Sequence, residues 1–204
     1  MGKNADDPQE MHMTPRAVAA SREAMDLLRV IEFGADKIES QGQGSNDLDQ
    51  IERDLARALQ LLEESFDQGF IGAAYNLGSI YLNGLKRVKG NEYVELPRNQ
   101  ARALEWFTRG AEGGDLDSQF TLAYMYDRGL GMPDSDLERA RHWYLKAAEG
   151  GLGRAQYDMA CIYLYGRGVP VDEALALTWF EKALASGVPR ARAHVEALTG
   201  KAQA

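Results

Sequence analysis

The sequence predicts an all-α fold, an α/α solenoid in which helical hairpins follow one another along the chain. Three observations carry that prediction: an internal repeat, a helical spacing of apolar residues inside it, and glycines where each helix must stop. Residues 140–170 (ARHWYLKAAEGGLGRAQYDMACIYLYGRGVP) realign on residues 103–133 (ALEWFTRGAEGGDLDSQFTLAYMYDRGLGMP) after a shift of 37 positions. Trp106 falls on Trp143, Gly113 and Gly114 on Gly150 and Gly151, Gln119 on Gln156, Tyr126 on Tyr163, and Pro133 on Pro170. Trp179 and Phe180 follow Trp143 and Tyr144 after 36 residues. A fixed period of this size marks repeats that bury their apolar faces only against their neighbours.

Within one repeat the chemistry agrees. Ala140, Trp143, Tyr144, Ala147 and Ala148 share one helical face, while Arg141, His142, Lys146 and Glu149 lie off it. Gly150 and Gly151 end this helix and turn the chain. Ala155, Met159, Ile162 and Tyr163 form the inward stripe of a second helix, which Gly166, Gly168 and Pro170 terminate. Ala148 and Ala160, with Ala111 and Ala123 one repeat earlier, let neighbouring helices approach closely.

The run W-Y-x-K-A-A-E-x-G, then A-Q-Y, then I-Y-x-x-G-x-G-V resembles the Sel-1-like repeat, a relative of the tetratricopeptide repeat. The match is close over 143–169, good over 104–131, and partial over 58–85 and 176–187, so it covers roughly residues 50–200. The resemblance implies a right-handed superhelix of helix pairs that assembles protein complexes, with no catalytic residues and no cofactor to carry over. It places the polar side of each first helix on the concave wall. On that wall lie Glu105 and Arg109, His142 and Lys146, and Thr178 and Lys182. Members of each pair stand four residues apart and project together. The second members make a basic ladder, which suits an acidic peptide or a carboxy terminus and equally suits compensation of helix dipoles.

Taken in order, residues 1–13 are polar and aperiodic and read as a disordered tail. Thr14 and Pro15 begin a helix, as N-cap and first helical residue. Ala20, Ala24, Leu27, Leu28, Ile31, Ala35 and Ile38 then mark an amphipathic helix within 14–40, outside the repeat register. It reads as a cap on the open end of the array, with homodimerisation as the rival. Residues 41–45 form a joint, without the length or Lys of a phosphate loop. The solenoid spans 46–200, in repeats at about 47–99, 100–135, 136–171 and 172–200. In the first, Leu61 and Leu62 take the Trp-aromatic slot, Gly69 the turn, and an Asn or Asp starts the helix over 47–67.

That first repeat carries eight extra residues within 86–100 (KRVKGNEYVELPRNQ). They concentrate Lys86, Arg87 and Lys89, offer Gly90 and Asn91 as a turn, and flank it with Val88, Tyr93 and Val94. This is compatible with a small β-hairpin. Insertions in repeat arrays often contact partners, so Lys86, Arg87, Lys89 and Tyr93 form a candidate partner loop; tolerated drift is the plainer reading. Ser135 and Glu138 have capping-box spacing at the first helix of the third repeat. Asp134 and Asp136 alone do not make a calcium loop, because its Gly and final Glu are missing. The last repeat opens at Asp172 as a helix cap and reaches Gly187; Pro189 then starts a closing helix through Leu198, with Ala193 and Thr199 in the aromatic slots.

Composition narrows the function. The net charge is −8, from 31 acidic and 23 basic residues. That disfavours nucleic acid and anionic membrane surfaces, which need clustered bases. Cys161 is the single cysteine, so an internal disulfide is excluded, and its mid-helix position reads as packing. The chain has no apolar run of membrane-spanning length and no signal-peptide core at its start, so a cytoplasmic home is expected, or a periplasmic one if a leader has been removed. His12, His142 and His194 show no metal-ligand spacing, and the paired glycines at 129/131 and 166/168 read as turn glycines. The periodic aromatics Trp106, Trp143, Trp179, Tyr126 and Tyr163 read as core. The expectation is a non-enzymatic adaptor that binds a protein segment, without metal or cofactor. A homo-oligomeric structural subunit using the N-terminal helix is the alternative, and an enzyme or small-ligand binder a more distant one.

Overall fold

A computed structural model describes residues 14–33, 48–89 and 91–202. The expected tail (with His12), the end of the first helix at Ala35 and Ile38, the joint at 41–45, the Asn46/Asp47 cap, the Lys89 side chain and Gly90 lie outside the described residues. The chain divides into two compact bodies, Met1–Asn99 and Gln100–Ala204.

The N-terminal body holds helices α1 (Pro15–Phe33), α2 (Leu48–Asp67) and α3 (Gly72–Asn83), then strands β1 (Leu85–Lys89) and β2 (Glu92–Leu96). Thr14 caps α1: its hydroxyl accepts from the Ala17 amide at 3.1 Å. Ala17, Ser21, Ala24, Leu28 and Ile31 are buried along one stripe of α1, against α2. Ser65 of α2 is fully buried there and donates to the Ala17 carbonyl at 2.7 Å. The opposite side of α1 exposes Arg16, Arg22, Glu23, Asp26 and Arg29. Leu61 and Leu62 are buried in α2, and Ala73, Ala74, Leu77 and Tyr81 in α3.

The eight extra residues do form a β-hairpin. Strands β1 and β2 pair antiparallel, with Lys86 opposite Glu95 and Val88 opposite Tyr93. Strand alternation puts Leu85, Arg87, Val94 and Leu96 on the half-buried side and leaves Lys86, Val88, Tyr93 and Glu95 exposed. The hairpin base is tied to α3, since Asn99 donates to the Tyr81 carbonyl at 2.7 Å and Arg98 Nε to that of Asn83 at 3.0 Å.

The C-terminal body alternates first helices α4 (Gln100–Glu112), α6 (Leu137–Glu149) and α8 (Glu173–Ala185) with second helices α5 (Leu116–Arg128), α7 (Gly153–Tyr165) and α9 (Arg192–Ala202). A short 3-10 turn, Pro189–Ala191, precedes α9. Asp115, Asp136 and Asp172 cap α5, α6 and α8, each accepting from the amide three residues on at 2.8–2.9 Å. For α6 this moves the cap one residue past Ser135. Asp136 holds the extended backbone required at an N-cap, and its carboxylate bonds Arg139 N. Gly129 and Gly166 end α5 and α7 in the left-handed conformation. Gly131 is also required by space: a Cβ there would stand 2.7 Å from the Gln100 carbonyl oxygen.

The core of this body is layered by the repeat. Phe107, Tyr144 and Phe180, each following a tryptophan, are buried more deeply than Trp106, Trp143 and Trp179. Trp106 and Trp179 are buried, while Trp143, Tyr126 and Tyr163 are half-buried against the core. Phe120 meets Tyr144 edge-on at 5.5 Å, and Tyr157 meets Phe180 likewise at 5.3 Å. The close-approach alanines 111, 123, 148 and 160 are all buried. The recurrent glutamine ties the two helices of a hairpin together. Gln119 Nε2 donates to the Ala111 carbonyl at 3.2 Å, and Gln156 Nε2 to that of Ala148 at 3.1 Å. Each adds a second donor to an end carbonyl of the preceding first helix, which also accepts the amide of Gly114 or Gly151 at 3.1 Å.

Candidate partner-binding face

All six side chains expected on the repeat wall are exposed or half-buried at its surface: Glu105 and Arg109 on α4, His142 and Lys146 on α6, Thr178 and Lys182 on α8. The three bases do not wave freely. The Arg109 guanidinium lies 4.2 Å from the Trp106 ring centroid, Lys146 Nζ 4.7 Å from that of Trp143, and Lys182 Nζ 4.2 Å from that of Trp179. Each cation follows its tryptophan by three residues, so one helical turn sets it over the indole face. Each also sits in the last turn of its helix, where the dipole favours positive charge. His142 packs edge-on against Trp143 at 5.3 Å.

The candidate loop is presented differently. Val88 and Tyr93 are more than half exposed as a cross-strand pair, Lys86 Nζ lies 4.2 Å from the Tyr93 ring, and Lys86 pairs with Glu95 at 3.4 Å. Arg87 lies on the half-buried side of the hairpin.

A second polar system, along α5, α7 and the 3-10 turn before α9, has no counterpart among the sequence expectations. Arg154 pairs with Asp117, Arg167 with Asp127, and Arg190 with Asp158 at 4.0 Å. Arg154 also lies over Phe120 at 4.3 Å, and Arg190 over Tyr157 at 3.9 Å. These contacts tie each second helix to the chain one repeat on. The signal for them in the sequence is opposite charges about one repeat apart. Asp127 is almost wholly buried, and its hydrogen bond raises the Arg167 pKa. Burial raises the Asp158 carboxyl above the ordinary range, although Arg190 and Arg167 oppose the shift. Burial likewise pushes up the Tyr144 phenol, helped by Asp158 and Asp127. The Cys161 thiol is also raised by burial, which removes nucleophilic character. His194 stacks on Phe180 at 4.4 Å and shares a hydrogen bond with the Tyr157 hydroxyl at 3.1 Å, a packing arrangement. Among the described residues no group of three or more His, Cys, Asp or Glu could hold a metal ion. No helix among them is long and apolar enough to cross a membrane.

The sequence pattern of the family described as Sel1 repeat matches residues 42–70, 71–115, 116–152 and 153–188. The chain belongs to the Sel1 repeat family. The last two matches begin each repeat at a second helix, pairing α5 with α6 and α7 with α8, whereas the tryptophan register begins it at a first helix. In a cyclic pattern both describe the same array. The fold is shared with a Sel1 repeat protein from Oxalobacter formigenes, at 24% identity and a TM-score of 0.62 over 88% of this chain and 61% of that one. It is shared with c5321, a protective antigen of uropathogenic Escherichia coli displaying an SLR fold, at 24% identity and 0.59 over 91% and 42%. Helicobacter pylori cysteine rich protein B aligns at 20% identity and 0.53 over 70% and 96%. The chain thus spans less than two thirds of the first two proteins' length. No curated protein matches it. Sel1 repeat proteins are generally protein–protein interaction modules, and the family is generally a non-enzymatic scaffold.

Proposed function

We propose that this Sel1 repeat chain is a non-enzymatic adaptor that docks a segment of a protein partner across α4, α6 and α8, on the face that the repeat resemblance assigns to the concave wall. The observation that supports it is the recurrence of one polar pair at the surface, a helical turn apart, on three successive first helices: Glu105 and Arg109, His142 and Lys146, Thr178 and Lys182. Core packing does not require that pattern, because the buried residues of those helices lie elsewhere. Val88 and Tyr93 of the hairpin, apolar side chains that the N-terminal body leaves outside, are a separate candidate contact.

The N-terminal helix serves this reading as a cap. Its apolar stripe is used on α2, and its outer side is charged. Affinity capture with the tagged chain from its native cell tests the adaptor reading, followed by capture with Lys146→Glu and Lys182→Glu together. Loss of the captured partner supports docking on this face; undiminished capture removes the face from the account.

A further inference from the structure

We infer that Lys146 and Lys182 are the vacant halves of ion pairs, and that the segment docked on this face is acidic, its carboxylates completing them. This inference rests on the adaptor reading above.

The argument is a comparison within one chain. Five other cations that rest on an aromatic ring also hold a carboxylate. Lys86 lies on Tyr93 and pairs with Glu95. Arg128 lies near Tyr124 and pairs with Asp127; Arg139 lies near Tyr126 and pairs with Asp136. Arg154 lies on Phe120 and pairs with Asp117; Arg190 lies on Tyr157 and pairs with Asp158. Ring below and carboxylate beside is therefore the commoner setting of a ring-borne cation among the described residues.

Lys146 and Lys182 depart from it. Each has its ring, Trp143 at 4.7 Å and Trp179 at 4.2 Å, and neither has a carboxylate within ion-pair distance among the described residues. Both are exposed, on a chain of net charge −8 that has more acidic than basic residues to spend on such pairs. Arg109 over Trp106 occupies the matching place on α4 and engages a further group there. An indole face beneath an ammonium limits its motion and leaves its other side to solvent. A carboxylate arriving from a partner finds the cation already placed, so less side-chain freedom is lost on pairing. Lysines one repeat apart on α6 and α8 ask for acidic side chains spread along an extended segment, not for a single anion.

The probe is a short oligoglutamate peptide, with oligolysine of equal length as control, added to the full chain. The readout is intrinsic fluorescence, which is local because Trp106, Trp143 and Trp179 are the chain's three tryptophans. The expected result is a saturable, salt-sensitive change in emission with oligoglutamate and none with oligolysine. In the double variant Lys146→Met, Lys182→Met, which keeps the alkyl cover on the rings, the dissociation constant should rise roughly tenfold with the thermal midpoint little changed. No saturable change, or an equal change in the variant, overturns the inference; so does a variant that melts early without having lost binding, since the lysines then serve only the helix ends. The adaptor reading is judged separately by partner capture. Capture abolished by the Met variants but not competed by oligoglutamate keeps the face and rejects the acidic segment. Capture untouched by both rejects the face itself.

Discussion

Lys182 Nζ lies 4.2 Å from the ring centroid of Trp179, three residues before it on α8, and the same step places Lys146 over Trp143 and Arg109 over Trp106. The ring and its cation have separable roles. Trp179 is buried and fills the core, so Trp179→Ala should cost about 3 kcal/mol or more in urea unfolding. Lys182→Met should stay within about 0.5 kcal/mol, because the alkyl chain still covers the indole.

Gln156 ties α7 to the last turn of α6 through the Ala148 carbonyl, at a site closed to water. Gln156→Leu removes the side-chain donor and leaves that carbonyl with the Gly151 amide at 3.1 Å. The expected loss is about 1–2 kcal/mol, read from chemical denaturation, with Gln119→Leu behaving alike through Ala111.

Arg167 holds the nearly buried Asp127 one repeat back, with Arg128 a second and more distant partner at 3.9 Å. Arg167→Ala should destabilise by about 1–3 kcal/mol, since a carboxylate out of water keeps only its weaker partner. Adding Asp127→Asn should recover part of that loss. A double-mutant cycle checks both statements.

Asp158 gives the pH dependence. Burial raises its folded-state pKa, so the folded protein holds the proton more tightly than the unfolded chain does. Its favourable contribution is therefore full below the ordinary aspartate range and is lost as pH rises through the raised value. Asp158→Asn removes that loss: relative to wild type it should gain stability from acidic to neutral pH. Thermal midpoints of both proteins across that range measure the difference, and a gain that shrinks as pH rises would contradict it.

Much of this architecture could be read from residue types alone, because the repeat prints its mechanics several times. Trp106, Trp143 and Trp179 set the register, the Gly113/Gly114 and Gly150/Gly151 pairs the turns, and the eight extra residues near Tyr93 a hairpin that the structure contains. The cap falls on Asp136 and not on Ser135, since Ser135 satisfies the spacing while Asp136 has the backbone geometry. The ion pairs of Arg154, Arg167 and Arg190 are hidden from helical spacing, which reports contacts within a helix, whereas these reach the neighbouring repeat. The polar pairs on α4, α6 and α8 could be picked by position. Which of their cations already had a carboxylate could be settled only in three dimensions.

The most direct measurement is site-specific photocrosslinking of the full chain in its native cell. A photoreactive residue is placed at His142 or Thr178, beside the two lysines, and for comparison at Tyr165, exposed on α7. The account predicts a partner adduct from the first two positions that disappears with Lys146→Glu and Lys182→Glu. An adduct from Tyr165 with none from His142 or Thr178 would contradict it.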